Sequence, residues 1–243
     1  MRIVALNTNG RGGPAIVDWV TSCNADVIVL AEWRATEASE RLRRTLEHEG
    51  FTTRCSVRDG RNCNGLLIAA KHAFNVERAT PEDADRGELL LARLPNDLIV
   101  AAAYFPQLGA KAPFFEKCVG LARNYVAVPL LLIGDLNTGR NDVDIEGGGT
   151  PFHCEKLFIA LETRAELRDL WRKEHGDLQE WTWQSHATKR SRAHSFRLDH
   201  AFGNQELISR LAPIHCRYDH QPRESSITDH SALIVELGNR VAR

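Results

Sequence analysis

Short apolar runs alternating with amphipathic stretches are the feature that most constrains the fold of this chain. Such runs are typical of strands buried on both faces. The predicted strands are residues 2–7, 26–32, 65–70, 88–94, 98–105 and 129–135, followed by strand-like segments at 181–183, 197–203 and 231–237. Apolar residues at helical spacing predict helices over 13–24, 37–50, 113–126 and 151–163. We therefore predict an α/β fold, a four-layer α/β sandwich in which two mixed β-sheets pack face to face with helices outside.

Composition limits the number of domains in the chain and the kinds of partner that it can bind. The 243 residues contain no linker-like or repeated segment, so we expect one domain over residues 1–243. A net charge of −1 gives no global attraction to polyanions, which local patches would have to bind. We see no signal-peptide pattern and no membrane-length apolar stretch, and therefore expect a cytoplasmic protein without membrane contact. A monomer is a separate expectation. The six cysteines lack Cys-x-x-Cys spacing, which favours reduced thiols over a zinc site.

Polar side chains lie at the ends of six apolar segments. They are Asn7, Glu32, Tyr104, Asp135 with Asn137, Asp199 with His200, and Asp229 with His230. In "LLLIGDLNTG" (130–139), Asp135 and Asn137 are two residues apart and face the same side of an extended chain. A cap or a loop hydrogen bond explains the polar residue at any one of these segment ends, but it is a poor explanation of all six segment ends together.

The oxygen ligands among them suggest a metal-dependent chemistry. Glu32, Asp229 and Asn7 suit a hard divalent ion, above all Mg²⁺. Such an ion beside carboxylates, amides and an imidazole is the equipment for cleaving phosphate esters. The nucleophile motif Gly-x-Ser-x-Gly and the phosphate loop Gly-x-x-x-x-Gly-Lys are both missing from the sequence.

The ordered set "NTNG", "LAEWR", "YFP", "GDLNT", "FRLDH" and "TDH" resembles the endonuclease/exonuclease/phosphatase superfamily, whose fold is similar to that of pancreatic deoxyribonuclease. Within that superfamily the chain most resembles exonuclease III-type abasic-site endonucleases. The resemblance extends from residue 3 to about residue 237. Two departures are that Phe196 stands where Trp is usual and that the loop after Ile145 is short.

The resemblance implies a role for each matching residue. Glu32, Asp229 and Asn7 would bind the metal, Mg²⁺ with Mn²⁺ as an alternative; Asn9 would lie beside them toward the substrate, and Arg34 stands where a supporting Lys is usual. Tyr104 would contact the scissile phosphate. Asp135 would align or deprotonate the attacking water, with Asn137 as its hydrogen-bonding neighbour. Asp199 would orient the imidazole of His230. Whether one or two metal ions act stays open.

The segment 181–200 suggests which phosphate ester is bound. It contains the cations Lys189, Arg190, Arg192 and Arg197 among aromatic residues, as a nucleic-acid groove requires, although a solvated loop is the alternative. In the resembling family the apolar residues here wall the pocket for a flipped abasic sugar, and Trp183, Phe196 and Leu198 fall at or near those places. Lys111 and the pair Arg58 and Arg61, beside Asn62 and Asn64, are further candidate contacts, each also explained as a solvent-exposed side chain.

These observations predict a metal-dependent phosphodiesterase that cleaves DNA by an activated water, at abasic sites and with 3′-exonuclease activity as a further expectation. One alternative is an enzyme with the same site acting on another ester, such as a phosphotyrosyl–DNA link or a small phosphorylated metabolite. A different class of alternative is a non-catalytic DNA-binding relative. It is disfavoured because Glu32, Asp135 and His230 are all in place.

Overall fold

Two six-stranded mixed sheets form the centre of the computed structural model, which describes residues 1–56, 64–185, 187 and 193–238. The first sheet, sheet A, has the strand order β13-β14-β1-β2-β4-β3. Its strands are β1 (Arg2–Asn7), β2 (Val27–Trp33), β3 (Thr52–Cys55), β4 (Gly65–Ala70), β13 (Ile214–Asp219) and β14 (Ala232–Leu237). β1 and β2 are parallel, and the other neighbours are antiparallel.

The second sheet, sheet B, has the order β5-β6-β7-β8-β12-β9. Its strands are β5 (Asn75–Arg78), β6 (Glu88–Arg93), β7 (Ile99–Tyr104), β8 (Leu130–Asp135), β9 (Arg168–Asp169) and β12 (Asp199–Gly203). Here β7 and β8 are the parallel pair. A separate two-stranded ribbon joins β10 (Trp183–Gln184) to β11 (Ser195–Phe196).

Seven α-helices complete the described part of the chain. They are α1 (Pro14–Ser22), α2 (Glu37–His48), α3 (Ala112–Asn124), α4 (Glu155–Thr163), α5 (Leu170–His175), α6 (Gln205–Arg210) and α7 (Gln221–Glu224). α1 and α2 cover the outer face of sheet A, whereas α3 and α4 cover sheet B. Within the described residues, no helix has both the length and the apolar character needed to cross a bilayer.

Successive side chains point to opposite faces of each strand and so build three apolar layers. Val29 of β2 faces sheet B, while its neighbour Leu30 faces α1 and α2. Ile133 and Leu132 divide in the same way between the two sheets and the helices beyond sheet B. Because both faces of the central strands are buried, the sequence shows continuous apolar runs rather than alternation. The predicted four-layer sandwich is confirmed.

One predicted helix begins later than its sequence pattern suggests. The prediction placed a helix over 151–163, but α4 begins at Glu155, and Cys154 before it has a left-handed backbone (φ 66°). Polar side chains hold the preceding residues in a loop: Asn141 Oδ1 accepts the backbone N–H of Phe152 at 2.7 Å, and Thr138 Oγ1 donates to the carbonyl of His153 at 2.9 Å. This loop borders the cleft described next.

Candidate active site

Strand register brings three of the predicted catalytic residues together at one edge of sheet B. Tyr104 at the end of β7 pairs with Asp135 at the end of β8, and Asp135 pairs with Asp199 at the start of β12. Side chains at paired positions lie on the same face of a sheet. All three residues therefore belong to one edge, although 95 residues of sequence separate Tyr104 from Asp199.

A cleft of about 890 Å³ opens at this edge. Its lining includes most of the residues predicted from the sequence: Asn9, Glu32, Tyr104, Lys111, Asp135, Asn137, Trp183, Phe196, Leu198, Asp229 and His230. Residues that the sequence reasoning did not assign to the site also line it, namely Asn64, Asp85, Arg86, Phe152 and His153. Asn7 and Asp199 are buried directly behind the lining residues that they contact.

Glu32 reaches the cleft through an irregularity in β2. The pairing of β2 with β4 shifts register between Ala31 and Trp33, so Glu32 is a β-bulge residue with a positive φ of 55°. A bulge redirects a side chain away from the regular alternation of a strand. Here it aims the carboxylate at the cleft, whereas Ala31 and Trp33 on either side are buried.

Asn7 links Glu32 of sheet A to Asp135 of sheet B. Its Nδ2 donates to Glu32 Oε1 at 3.1 Å and to Asp135 Oδ2 at 2.8 Å, while its Oδ1 accepts the backbone N–H of Asn9 at 2.9 Å. The sequence predicted Asn7 as a metal ligand. In this arrangement its oxygen faces Asn9, and the amide serves the carboxylates as a hydrogen-bond donor.

Asp135 is a buried carboxylate fixed by amide donors. The backbone N–H of Asn137 donates to its Oδ1 at 2.8 Å, and the side-chain amide of Asn137 donates to Oδ2 at 3.3 Å and to the carbonyl of Phe105 at 2.7 Å. Burial and the nearby Asp199 raise the pKa of Asp135 to about 7, while His230 and the amide donors act in the opposite direction. Asp135 is thus poised to accept a proton near neutral pH.

His230 and Asp199 form a buried pair. The imidazole Nδ1 lies 2.8 Å from Asp199 Oδ2. Burial disfavours the charged imidazole, but the Asp199 carboxylate outweighs it and raises the pKa of His230 to about 9. His230 is therefore held as a cation that presents its other ring nitrogen to the cleft. His200, also noted in the sequence, lies on the opposite face, where its Nε2 donates to the carbonyl of Thr138 at 2.8 Å.

Tyr104 remains a phenol. Burial and the neighbouring Glu32 raise the pKa of its hydroxyl above the usual value, so it can donate a hydrogen bond but not act as a phenolate. Asn64 donates to the Tyr104 oxygen at 3.1 Å.

An apolar wall flanks the catalytic residues. It comprises Ile145, Phe196 and Leu198, with Phe152 and Trp183 packed against them. The Trp183 and Phe196 rings lie 5.9 Å apart, and the Trp183 Nε1 donates to Asp229 Oδ2 at 3.0 Å. The wall predicted from Trp183, Phe196 and Leu198 thus gains Phe152, which the loop before α4 contributes.

Of two predicted cations, Arg197 lies away from the cleft surface, and Lys111 lines the cleft but is buried. Arg197 is fully buried, not part of a surface groove: its Nε donates to Asp144 Oδ1 at 2.6 Å and its Nη2 to Asp169 Oδ2 at 2.6 Å. Lys111 is almost fully buried, and its Nζ donates to the carbonyl of Asn137. Burial lowers the pKa of Lys111 to about 8. Lys189, Arg190, Arg192, Arg58 and Arg61 lie outside the described residues.

The carboxylate oxygens of the cleft are of the kind that bind a hard divalent ion. Among the described residues, no group of three or more His, Cys, Asp or Glu side chains forms a metal site by itself. Glu32 and Asp229 line the same cleft with carboxylate oxygens, and both oxygens of Glu32 are already oriented by amide donors. Such oxygen ligands, supplemented by water and substrate oxygens, are what Mg²⁺ prefers.

Comparisons with known proteins bear on the family and the fold of this chain. The model of the endonuclease/exonuclease/phosphatase family matches residues 4–230. No curated protein matches the chain in sequence. The structure is similar to a 3′ phosphatase from Neisseria bound to a product DNA hairpin, with 19% identity, coverage of 98% of this chain and 99% of the other, and a TM-score of 0.81. It is also similar to an AP endonuclease from Archaeoglobus fulgidus, with 19% identity, 98% and 99% coverage, and a TM-score of 0.77. At these identities the two solved structures show the shared fold.

Proposed function

Because the chain belongs to the endonuclease/exonuclease/phosphatase family, we propose that it is a divalent-metal-dependent phosphodiesterase that cleaves DNA at abasic sites, with 3′-exonuclease activity in addition. Membership implies hydrolysis of phosphate esters. One observation carries the finer proposal: Glu32, Tyr104, Asp135 and His230 line the same cleft as the apolar wall of Trp183, Phe196 and Leu198. Solved relatives of the same fold include a 3′ phosphatase bound to DNA and an AP endonuclease, which supports DNA as the substrate.

Each side chain has a role that its environment supports. Asp135 accepts a proton from the attacking water, and Asn137 and Asn7 hold its carboxylate in place. His230, kept charged by Asp199, and the phenol of Tyr104 donate to phosphate oxygens as negative charge develops there. Glu32 and Asp229 would hold the metal ion, whose charge neutralises the phosphate. The apolar wall would pack against a sugar that carries no base.

The first test compares substrates. A labelled duplex with one abasic analogue, an intact duplex, a duplex with a 3′-phosphate end and a soluble phosphodiester are each incubated with the protein. We expect cleavage at the abasic analogue with Mg²⁺ or Mn²⁺ and none in excess chelator. Glu32→Ala should lose activity by orders of magnitude while keeping its circular dichroism spectrum. Cleavage of the soluble ester alone, or normal turnover in chelator, would contradict the proposal.

The second part of this test concerns the grip on DNA. Replacing Lys189, Arg190 and Arg192 with Ala should flatten the dependence of log affinity on log salt by up to about three units, one for each lost phosphate contact. A matched control removes three exposed arginines of the helices, Arg41, Arg44 and Arg210. Trp183→Ala or Phe196→Ala should reduce abasic-site cleavage more than duplex binding. If log affinity depended equally on log salt in the parent and in both triple variants, the proposed DNA-binding groove would be contradicted.

A further inference from the structure

Asn64 occupies a position that strand direction brings to the cleft. It directly precedes β4, which is antiparallel to β2, and Gly65 pairs with Trp33. The first residue of an antiparallel neighbour lies at the same edge as the last residue of the strand beside it. Asn64 therefore lies beside the bulge that carries Glu32.

The hydrogen bonds of Asn64 connect the two sheets. Its Nδ2 donates to Glu32 Oε2 at 2.9 Å on sheet A and to the Tyr104 oxygen at 3.1 Å on sheet B. Its Oδ1 accepts from Arg34 Nε at 2.5 Å. A guanidinium is a donor without acceptor capacity, so it has to face the amide oxygen. Arg34 thereby fixes which end of the amide faces the carboxylate and the phenol.

These contacts restrict both partners. Glu32 accepts one amide hydrogen on each oxygen, from Asn7 on Oε1 and from Asn64 on Oε2, so the plane of the carboxylate is set from two sides. Arg34 Nη2 also lies 3.9 Å from Glu32 Oε2, so the guanidinium that orients Asn64 faces the carboxylate as well. The Tyr104 oxygen accepts from Asn64, and its hydroxyl hydrogen-bonds to the Glu32 carboxylate, so the phenol is held from both sides.

We propose that Asn64 is a positioning residue that, oriented by Arg34, holds the Glu32 carboxylate and the Tyr104 phenol in the geometry needed for metal and phosphate binding. The inference rests on the proposed function in taking Glu32 as a metal ligand and Tyr104 as a phosphate contact. It assigns Asn64 a task that no strand-end motif in the sequence indicates, and it gives the supporting residue Arg34 a specific partner, the amide oxygen of Asn64.

Two variants of nearly equal size test the proposal, Asn64→Leu and Asn64→Asp. Partners that orient metal ligands typically contribute about 10- to 100-fold to metal affinity or activity. Asn64→Leu removes the donor, so Mn²⁺ affinity measured by electron paramagnetic resonance should fall about tenfold. Asn64→Asp places a second carboxylate beside Glu32, so Mn²⁺ should bind more tightly than to the parent. Both variants should lower kcat on the abasic duplex at least about tenfold and change KM less than about threefold.

A double variant separates positioning from simple space filling. In a Tyr104→Phe background, Asn64→Leu should cost less in kcat than in the parent, because the phenol it would orient is gone. Asn75→Leu and Asn75→Asp are matched controls, since Asn75 is exposed on β5 at the end of sheet B away from Tyr104. Parent-like Mn²⁺ affinity and kcat in folded Asn64→Leu and Asn64→Asp would overturn the inference. The Mn²⁺ titration uses no DNA, so it judges Asn64 even where the parent cleaves none of the DNA substrates and the proposed function itself fails.

Discussion

The charge of His230 depends mainly on Asp199, and Asp135 and Asp229 raise its pKa in the same direction. Burial by itself favours the neutral imidazole, because the protein interior solvates a cation poorly. The pair also crosses the molecule, since Asp199 begins β12 of sheet B and His230 precedes β14 of sheet A. The two side chains therefore act as one unit in charge and in position.

The first prediction at the residue scale is a double-mutant cycle on this pair. Asp199→Asn keeps the shape but removes the charge, so kcat should fall by about 10²- to 10⁴-fold with little change in KM. His230→Ala should cost a similar factor, and the double variant scarcely more than either. Steady-state kinetics on the abasic duplex measure all four forms. Losses that multiply in the double variant would show that the two residues work independently.

At the scale of elements, a network of buried ion pairs fixes the residues just before β12. Arg197 lies two residues before Asp199 and binds Asp144 of the loop after β8 and Asp169 of β9. Arg172 of α5 also donates to Asp144. Burial opposes ionisation of Asp169, but Arg197 outweighs it and holds the pKa of that carboxyl far below its usual range. The network joins a loop, a strand and a helix behind the apolar wall.

Arg197→Met should therefore be destabilising. The variant leaves buried carboxylates without their main partner, at a cost of about 3–5 kcal/mol in the free energy of unfolding at pH 7. In the parent, the stability from Asp169 is present above pH 3.8 and is lost only as pH falls through its depressed pKa. In the variant the carboxyl pKa rises above the unfolded value, so the deficit should shrink as pH falls from 7 toward 4. Urea titrations at several pH values measure it.

The control for this prediction is an exposed ion pair. Arg210 bonds Glu206 one turn earlier in α6 at 3.4 Å, with both side chains partly in solvent. Arg210→Met should change the free energy of unfolding by less than about 0.5 kcal/mol. A cost for Arg197→Met no larger than this would contradict the assigned role of the network.

Sequence patterns predicted the apolar strands and the polar residues that follow them, because both depend on local spacing. Asp135, Asn137 and His230 were found in this way. The sequence predicts a surface cation at Arg197, since its acidic partners, Asp144 and Asp169, are distant in sequence. The sequence indicates Asn64 only as a neighbour of Arg58 and Arg61, because it does not show that β4 begins at the cleft. Tertiary contacts decide these cases, and one sequence does not show them.

On the scale of the whole molecule, the candidate site exists where the two sheets meet. Sheet A or its adjoining residues contribute Asn7, Glu32 and His230, and sheet B contributes Tyr104, Asp135 and Asp199. Hydrogen bonds from Asn7 to Asp135 and between His230 and Asp199 connect the halves. Neither sheet carries the full set, so the proposed activity would require the assembled sandwich. The cytoplasmic location and the monomeric state stay predictions.

The left-handed backbone of Glu32 implies that the folded protein is less stable than it would be with a glycine at this position. A residue with a Cβ costs roughly 1–2 kcal/mol in that conformation, and Gly avoids the cost. Glu32→Gly should therefore be more stable than Glu32→Ala by about 1 kcal/mol, and under the proposed function both should be inactive. At Arg54, an exposed residue of β3, the order should reverse, since Gly weakens an ordinary strand. Chemical unfolding of Glu32→Gly, Glu32→Ala, Arg54→Gly and Arg54→Ala compares the two positions. If Ala were the more stable variant at both positions, Glu32 would carry no backbone strain. Stability alone would favour glycine at position 32, whereas this chain has a carboxylate there.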